Sequence, residues 1–328
     1  MRHVTALAMA ALLAASLPSA AATEAKNGVW TLLVENDLFY GSDRNYTSGV
    51  GLAWVASPKP PPEWAVKLAR TVPWFPEIGE IRHGYIVGQN MYTPRDISLP
   101  DPPLDDRPYA GWLYATIGLG VESVGQTDFF ALTVGVVGPA SLAEQSQKAI
   151  HEITGSPHPQ GWDTQLKNEP GFELAYPRRW RDVLTGSFAG LELDLTPHAG
   201  GALGNVYTYA NAGFTVRYGK RLTSDLGPMR IRPSPPGSGF FVPADTFSWY
   251  VFVGVDGRAV ARNVFLDGNT WRESRSVDKE TLVGDLQWGA AVTWKGMRFT
   301  YTHVRRTREF ETQGPNSDFG AFAVSVAF

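Results

Sequence analysis

Apolar and polar side chains alternate along most of this chain with a period of two. Phe247, Trp249, Val251, Val253 and Val255 face one way, while Ser248, Tyr250, Gly254 and Asp256 face the other. Ala189, Leu191, Leu193 and Leu195 oppose Gly190, Glu192, Asp194 and Thr196, and Phe214, Val216 and Tyr218 oppose Gly213, Thr215 and Arg217. At the end of the chain Phe322, Val324, Val326 and Phe328 alternate with small residues. Such a period marks a β-strand with one greasy face. Turn residues divide the pattern into twelve strands, near 28–38, 46–57, 81–92, 109–123, 127–137, 171–182, 187–199, 206–219, 246–257, 281–294, 297–310 and 317–328. Charges keep to the polar face, as a twelve-stranded antiparallel transmembrane β-barrel requires: a lipid-facing charge near the midplane costs roughly 2–4 kcal/mol.

An even number of strands puts both ends of the barrel's chain on the periplasmic side. The connections 39–45, 93–108, 138–170, 200–205, 258–280 and 311–316 then lie on the outer face. Lys295-Gly296 and Ser123-Val124-Gly125-Gln126 become tight periplasmic turns. The periplasmic connections 58–80 and 220–245 are long, and their Pro and Gly content argues against hidden strands. One helix interrupts the strands in an outer loop, at 141–154. Ser141 and Glu144 have capping-box spacing, Glu144 and Lys148 form an i,i+4 pair, and Gly155 is the stop signal. Leu142, Ile150 and Ile153 make its apolar stripe, while Gln147 and His151 share another face. A helix there covers the barrel mouth or lies against its rim.

Residues 1–22 are read as a secretory signal and 23–328 as the barrel. Arg2 and His3 give a basic start, Thr5 to Leu17 is apolar, and Pro18-Ser19-Ala20-Ala21-Ala22 supplies small residues for cleavage. The apolar run is too short to span a bilayer as a helix. Cysteine is absent, which excludes a disulfide framework and a thiol nucleophile. A net charge of −3 implies no nucleic-acid partner. A mean hydropathy of −0.17 suits a barrel in which only alternate residues touch lipid, and the 11 Trp suit aromatic girdles.

Chemistry concentrates in two places. The first hairpin carries Glu35-Asn36-Asp37 and Asp43-Arg44-Asn45-Tyr46-Thr47-Ser48-Gly49. Such a composition is what a solvated turn uses; it also offers the oxygen donors Ca²⁺ prefers, Asp37 first, without the spacing of a helix–loop calcium motif. The second place is the loop helix, where His151 is the acid–base candidate. Downstream, Gly161-Trp162-Asp163-Thr164-Gln165-Leu166-Lys167-Asn168-Glu169-Pro170 is polar and aromatic. It reads mainly as loop structure, Trp162 above all. Arg95, Arg107, Arg262, Arg272 and Arg275 fall in outer loops, where arginine pairs with phosphate.

Taken in order, Glu35-Asn36-Asp37, residues 43–49, Gln147 with His151, and the run 161–170 resemble the outer-membrane lipid A 3′-O-deacylases, the LpxR family. The signal, strand number and terminal Phe agree. The resemblance implies Ca²⁺-dependent removal of the 3′-acyloxyacyl group of lipid A, the lipopolysaccharide anchor, at the outer-leaflet end of a barrel in the outer membrane of a Gram-negative cell. It implies Asn36, Thr47, Gln147 and His151 as catalytic positions and Asp37 as metal ligand; Ser48, Arg95 and Arg107 are read beside them as substrate-binding. A monomer is expected. An acidic residue that family members carry shortly after the His falls on Pro157 here, with Glu152, Asp163 and Glu169 as possible substitutes. Strand parity sets Glu35, Asp37 and Thr47 on the lumen side and Asn36 on the other, so either the strand end is irregular or Asn36 acts through its backbone. Two other readings stand beside this one: a phospholipase-type serine esterase with Ser48 as nucleophile, and a non-catalytic barrel or pore.

Overall fold

The computed structural model describes residues 28–36, 45–56, 63–71, 79–222, 227 and 247–328. The proposed signal segment lies outside them, as do Asp37, Asp43 and Arg44. Thirteen strands form one antiparallel sheet: β1 (Val29–Asn36), β2 (Asn45–Val55), β3 (Glu80–Thr93), β4 (Ala110–Ser123), β5 (Gln126–Val137), β6 (Glu169–Trp180), β7 (Leu184–Phe188), β8 (Leu191–Gly204), β9 (Tyr207–Lys220), β10 (Ser248–Asn263), β11 (Leu282–Trp294), β12 (Met297–Arg306) and β13 (Ser317–Ala327). The wall closes through β1 with β13 and β6 with β8. β6 and β7 lie end to end along one edge of β8, so the thirteen segments make a closed barrel of twelve staves. The expected strand 187–199 is corrected here: Ala189 and Gly190 take positive φ values of 51° and 77° and make the two-residue turn of the β7–β8 hairpin. β10 also runs beyond the expected 257, to Asn263.

Closure pairs the backbone N–H and C=O groups between strands, which a bilayer interior demands. The side chains then sort by parity. Val50, Leu52, Val87, Ile117, Leu132, Val134, Phe172 and Leu174 are exposed on the outward face, together with Val251, Val253 and Val255. Thr31, Glu35, Thr116, Thr133, Glu173, Asp194 and Arg217 are buried on the lumen face. Trp30 opposes Trp54 at the periplasmic end, and Trp54 stacks on Tyr85 at 5.8 Å. Beside this aromatic belt lies a helix the sequence pattern did not suggest, α1 (Glu63–Thr71), whose Trp64 meets the ring of His83 edge-on at 6.0 Å.

The lumen is filled. A short helix, α3 (Val264–Asp267), follows β10 and drops into the outer mouth, where Val264, Phe265 and Leu266 are at most 1% exposed. Phe265 stacks on Tyr92 at 4.1 Å and meets Tyr207 and Trp112 at 5.5 and 6.1 Å. Around this plug lies a buried charge network. Arg306 binds both oxygens of Asp285 at 2.8 and 3.0 Å, Arg258 reaches Asp285 at 3.1 Å, and His198 and Asn211 converge on Asp256. Glu309 joins Arg306 and Arg107 to the network at 3.3 and 3.4 Å.

These groups give three predictions. Asp285→Ala leaves two buried guanidiniums without their main counter-charge, and should cost roughly 3–5 kcal/mol of stability, measured as a lower denaturant midpoint for loss of the folded gel band. Purified protein in planar bilayers should pass no steady pore current. Acid should act on the same seal. Burial alone disfavours the Glu309 carboxylate, but the guanidiniums of Arg306, Arg107 and Arg258 outweigh it and hold its pKa below the ordinary 4.5. Its stabilising contribution is therefore complete above about pH 4.5 and is lost as the pH falls through the depressed value.

Candidate functional site on the outer face of the wall

The loop between β5 and β6 folds back against the outside of the barrel rather than over its mouth. Gly138 starts a tight turn through Pro139–Ser141, and the helix α2 (Ala143–Thr154) follows. The expected capping box is corrected. Ser141 belongs to the turn, Leu142 caps the helix with a positive φ of 60°, and no side chain caps its N-terminus. Ser141 is instead drawn into the wall. Gln89 Nε2 donates to its carbonyl at 2.7 Å, and its Oγ and the Ala143 methyl occupy the space a Cβ on Gly111 would need, at 2.1 and 2.3 Å. The i,i+4 pair forms as expected, with Lys148 Nζ 2.6 Å from Glu144 Oε1. Gly155 ends the helix in the left-handed region at φ 68°.

The face that α2 buries is the polar one. Ala143, Gln147 and His151 succeed one another at four-residue spacing and are all buried, at 1%, 1% and 2% exposure. The expected apolar stripe is mostly turned away from the wall: Leu142 is 53% and Ile153 62% exposed, and only Ile150 packs inward, beside Met91, Tyr109 and Trp162. The inversion follows from the surroundings. Outside this wall is hydrocarbon or the headgroup boundary, so apolar residues are stable facing away and polar ones are enclosed.

The parity conflict at Asn36 disappears once the helix is outside. β1 is regular through Asn36, and the Glu35 side chain is buried in the lumen while Asn36 takes the outward parity. Asn36 pairs with Ser48, Ser48 with Met91, and Met91 with Gly111. These four residues form one row across β1 to β4 on the outward face, and α2 sits on the Gly111 and Met91 end of it. Adjacent strands are ~4.8 Å apart, so the row brings Asn36 and Ser48 to the same rim as Gln147 and His151. The irregularity is in β2, where the register slips between Tyr46 and Ser48, at Thr47. Asp37 and the side chain of Thr47 lie outside the described residues.

Each buried polar side chain of α2 is held from behind. His151 Nδ1 lies 2.5 Å from the carbonyl oxygen of Pro157. A carbonyl only accepts, so Nδ1 carries the hydrogen and Nε2 is the acceptor nitrogen. The chain reaches this position because the Gly155 turn reverses it, with Ser156 N donating to His151 O at 3.0 Å. Pro157 thus supplies a backbone oxygen where the resemblance calls for a carboxylate. Of the three suggested substitutes, Glu152 and Asp163 are exposed, and Glu169 accepts from Thr270 N and Oγ1. Gln147 Oε1 accepts from Trp162 Nε1 at 2.7 Å, and its buried Nε2 has no hydrogen-bond partner among the described residues. The run 161–170 builds the support: Trp162 packs on Tyr109 at 4.9 Å, Leu166 is fully buried, and Asn168 Oδ1 accepts from Ala140 N.

The arginines divide. Arg95 is exposed in the outer loop and donates to Thr312 O at 3.4 Å. Arg107 is corrected as a phosphate ligand. Its loop turns into the mouth, so the side chain is 0% exposed, over the Tyr92 ring and against Glu309. Arg262 is tied to Asn205 O and Gly268 O, and Arg275 to Pro102 O and Asp101. Gly111→Val should push α2 off the wall without unfolding the barrel, measured as faster trypsin cleavage at Lys148 with an unchanged folded gel band.

The model of the family described as outer membrane protein LpxR matches residues 7–328. Among solved structures, LpxR from Salmonella typhimurium superposes with a TM-score of 0.74 at 19% identity, over 92% of this chain and 100% of that one. The KdgM porin and the β domain of the Bordetella autotransporter BrkA also align, at TM-scores of 0.37 and 0.44 and 5% and 10% identity, over 92% of this chain and 99% and 100% of theirs. No curated protein sequence matches. With a match over nearly its whole length, this chain belongs to the LpxR family of outer membrane proteins.

Proposed function

We propose that the protein is a Ca²⁺-dependent hydrolase that removes the 3′-acyloxyacyl group of lipid A at the outer-leaflet rim of the barrel. The observation that carries this reading is the inverted helix. α2 encloses a histidine and a glutamine against the lipid-facing side of the wall, in line with Asn36 and Ser48. Family membership supports an outer-leaflet lipid as substrate. The filled lumen disfavours the pore reading.

His151 Nε2 takes a proton from water, and the resulting hydroxide attacks the ester carbonyl carbon. Gln147 Nε2, a donor with no partner among the described residues, is suited to the oxyanion that forms. Collapse breaks the bond to the 3′ oxygen, and the imidazolium returns its proton to that leaving oxygen. The products are the free acyloxyacyl fatty acid and a 3′ hydroxyl. Oxygen donors on the outward rim suit Ca²⁺ in kind. Glu35 is excluded as a ligand because it points into the lumen. Asp37, which follows the last described residue of β1, would hold the ion with backbone carbonyls. When bound, Ca²⁺ supplies Lewis-acid polarisation of the ester carbonyl. Asn36 and Thr47 would line the same rim, and Arg95 would meet a phosphate.

His151→Ala should lower the rate of 3′ deacylation by roughly 10²–10⁴-fold, read by mass spectrometry of extracted lipid A, and chelation of Ca²⁺ should stop the wild type. Undiminished acyl loss in the variant eliminates the base assigned here. Labelling of Ser48 by a serine-directed phosphonate would replace this reading with that of a serine esterase.

A further inference from the structure

Trp162 is fully buried, yet its position does more than fill space. It is 1% exposed and packs with Met91, Ile97, Tyr109 and Ala143, which the ring alone would explain. Its one polar atom is the indole Nε1–H, which can only donate. That hydrogen is spent on Gln147 Oε1 at 2.7 Å. An amide whose oxygen is fixed has its nitrogen fixed as well, on the opposite branch of the same plane. The Gln147 Nε2 is left buried and without a partner among the described residues, beside His151 one helical turn on. A buried amide donor left without an acceptor is costly. Flipping the side chain would not relieve this, because it would set one N–H group against another at the indole.

We propose that Trp162 is a positioning residue of the hydrolytic site: its indole N–H locks the Gln147 amide so that the Nε2 donor faces the reacting ester. The inference rests on the deacylase reading above and adds to it the group that makes the donor rigid. Preorganised donors act because they need no reorientation as charge develops, and a supporting hydrogen bond of this kind is what holds such a group in place. Trp162 never touches substrate. Loss of its N–H should therefore lower kcat while leaving KM nearly unchanged, and should matter only while Gln147 is present.

The test uses full-length protein in vesicles containing lipopolysaccharide and Ca²⁺, comparing wild type, Trp162→Phe, Gln147→Ala and the double variant. Phe keeps most of the ring and removes the donor. Trp162→Phe should reduce kcat about tenfold with KM within about twofold, and the double variant should be no slower than Gln147→Ala alone. A second readout does not depend on turnover. The indole N–H resonance that vanishes in Trp162→Phe should be protected from hydrogen exchange in the wild type, and should move and lose protection in Gln147→Ala. Multiplicative losses in the double variant, or an indole resonance indifferent to Gln147→Ala, would overturn the proposal. A wild type that removes no acyl chain would instead overturn the deacylase reading, whichever way the resonance behaves. The folded gel band of each variant separates these results from misfolding.

Discussion

The backbone hydrogen bonds that close the wall decide everything else about this molecule. In hydrocarbon an unpaired N–H or C=O is too costly to keep, so the strands must pair all the way round. Once they do, each residue's face is settled by its place in the register. Glu35 is committed to the lumen and its neighbour Asn36 to the bilayer side, with no freedom between them. The row from Asn36 to Gly111 exists because four strands share one register.

The two faces were put to different uses. The inner face holds acids, arginines and aromatics that neutralise one another and plug the bore, with α3 as the stopper. The outer face carries an apolar band across its middle, and α2 covers part of it near the outer rim. Under that helix a pocket of polar groups is shielded on one side by the wall and on the other by the helix itself. Low dielectric raises the value of a well-aimed donor there and the cost of a badly aimed one. The return segment from Gly155 to Leu166 meets that demand by fixing the rear atoms of both His151 and Gln147.

Much of this architecture was legible in the alternation alone. Strand faces such as Val251, Val253 and Val255 follow from period two, and the turns at Gly125 and Gly296 from their composition. Other features were not legible, for physical reasons. The split of β6 and β7 depends on how far neighbouring staves are sheared, which no local pattern encodes. The helix was found, but which of its sides is buried was not. An apolar stripe signals the core only when water is the alternative, and here lipid was. Gln147 and His151 shared a face in the sequence; which way that face points required the Gly111 contact. The carbonyl of Pro157 could not be anticipated at all, because a backbone acceptor leaves no mark on residue identity. Arg107 looked like other loop arginines until the loop was seen to turn inward.

Leu142 and Ile153, exposed on the far side of α2, have a kinetic meaning. A helix that is greasy without and polar within can be approached only sideways, along the plane of the leaflet. An amphiphile arriving that way never has to enter water. Its encounter frequency would scale with surface density in the membrane, two-dimensionally, and bulk molarity would be the wrong variable for describing saturation.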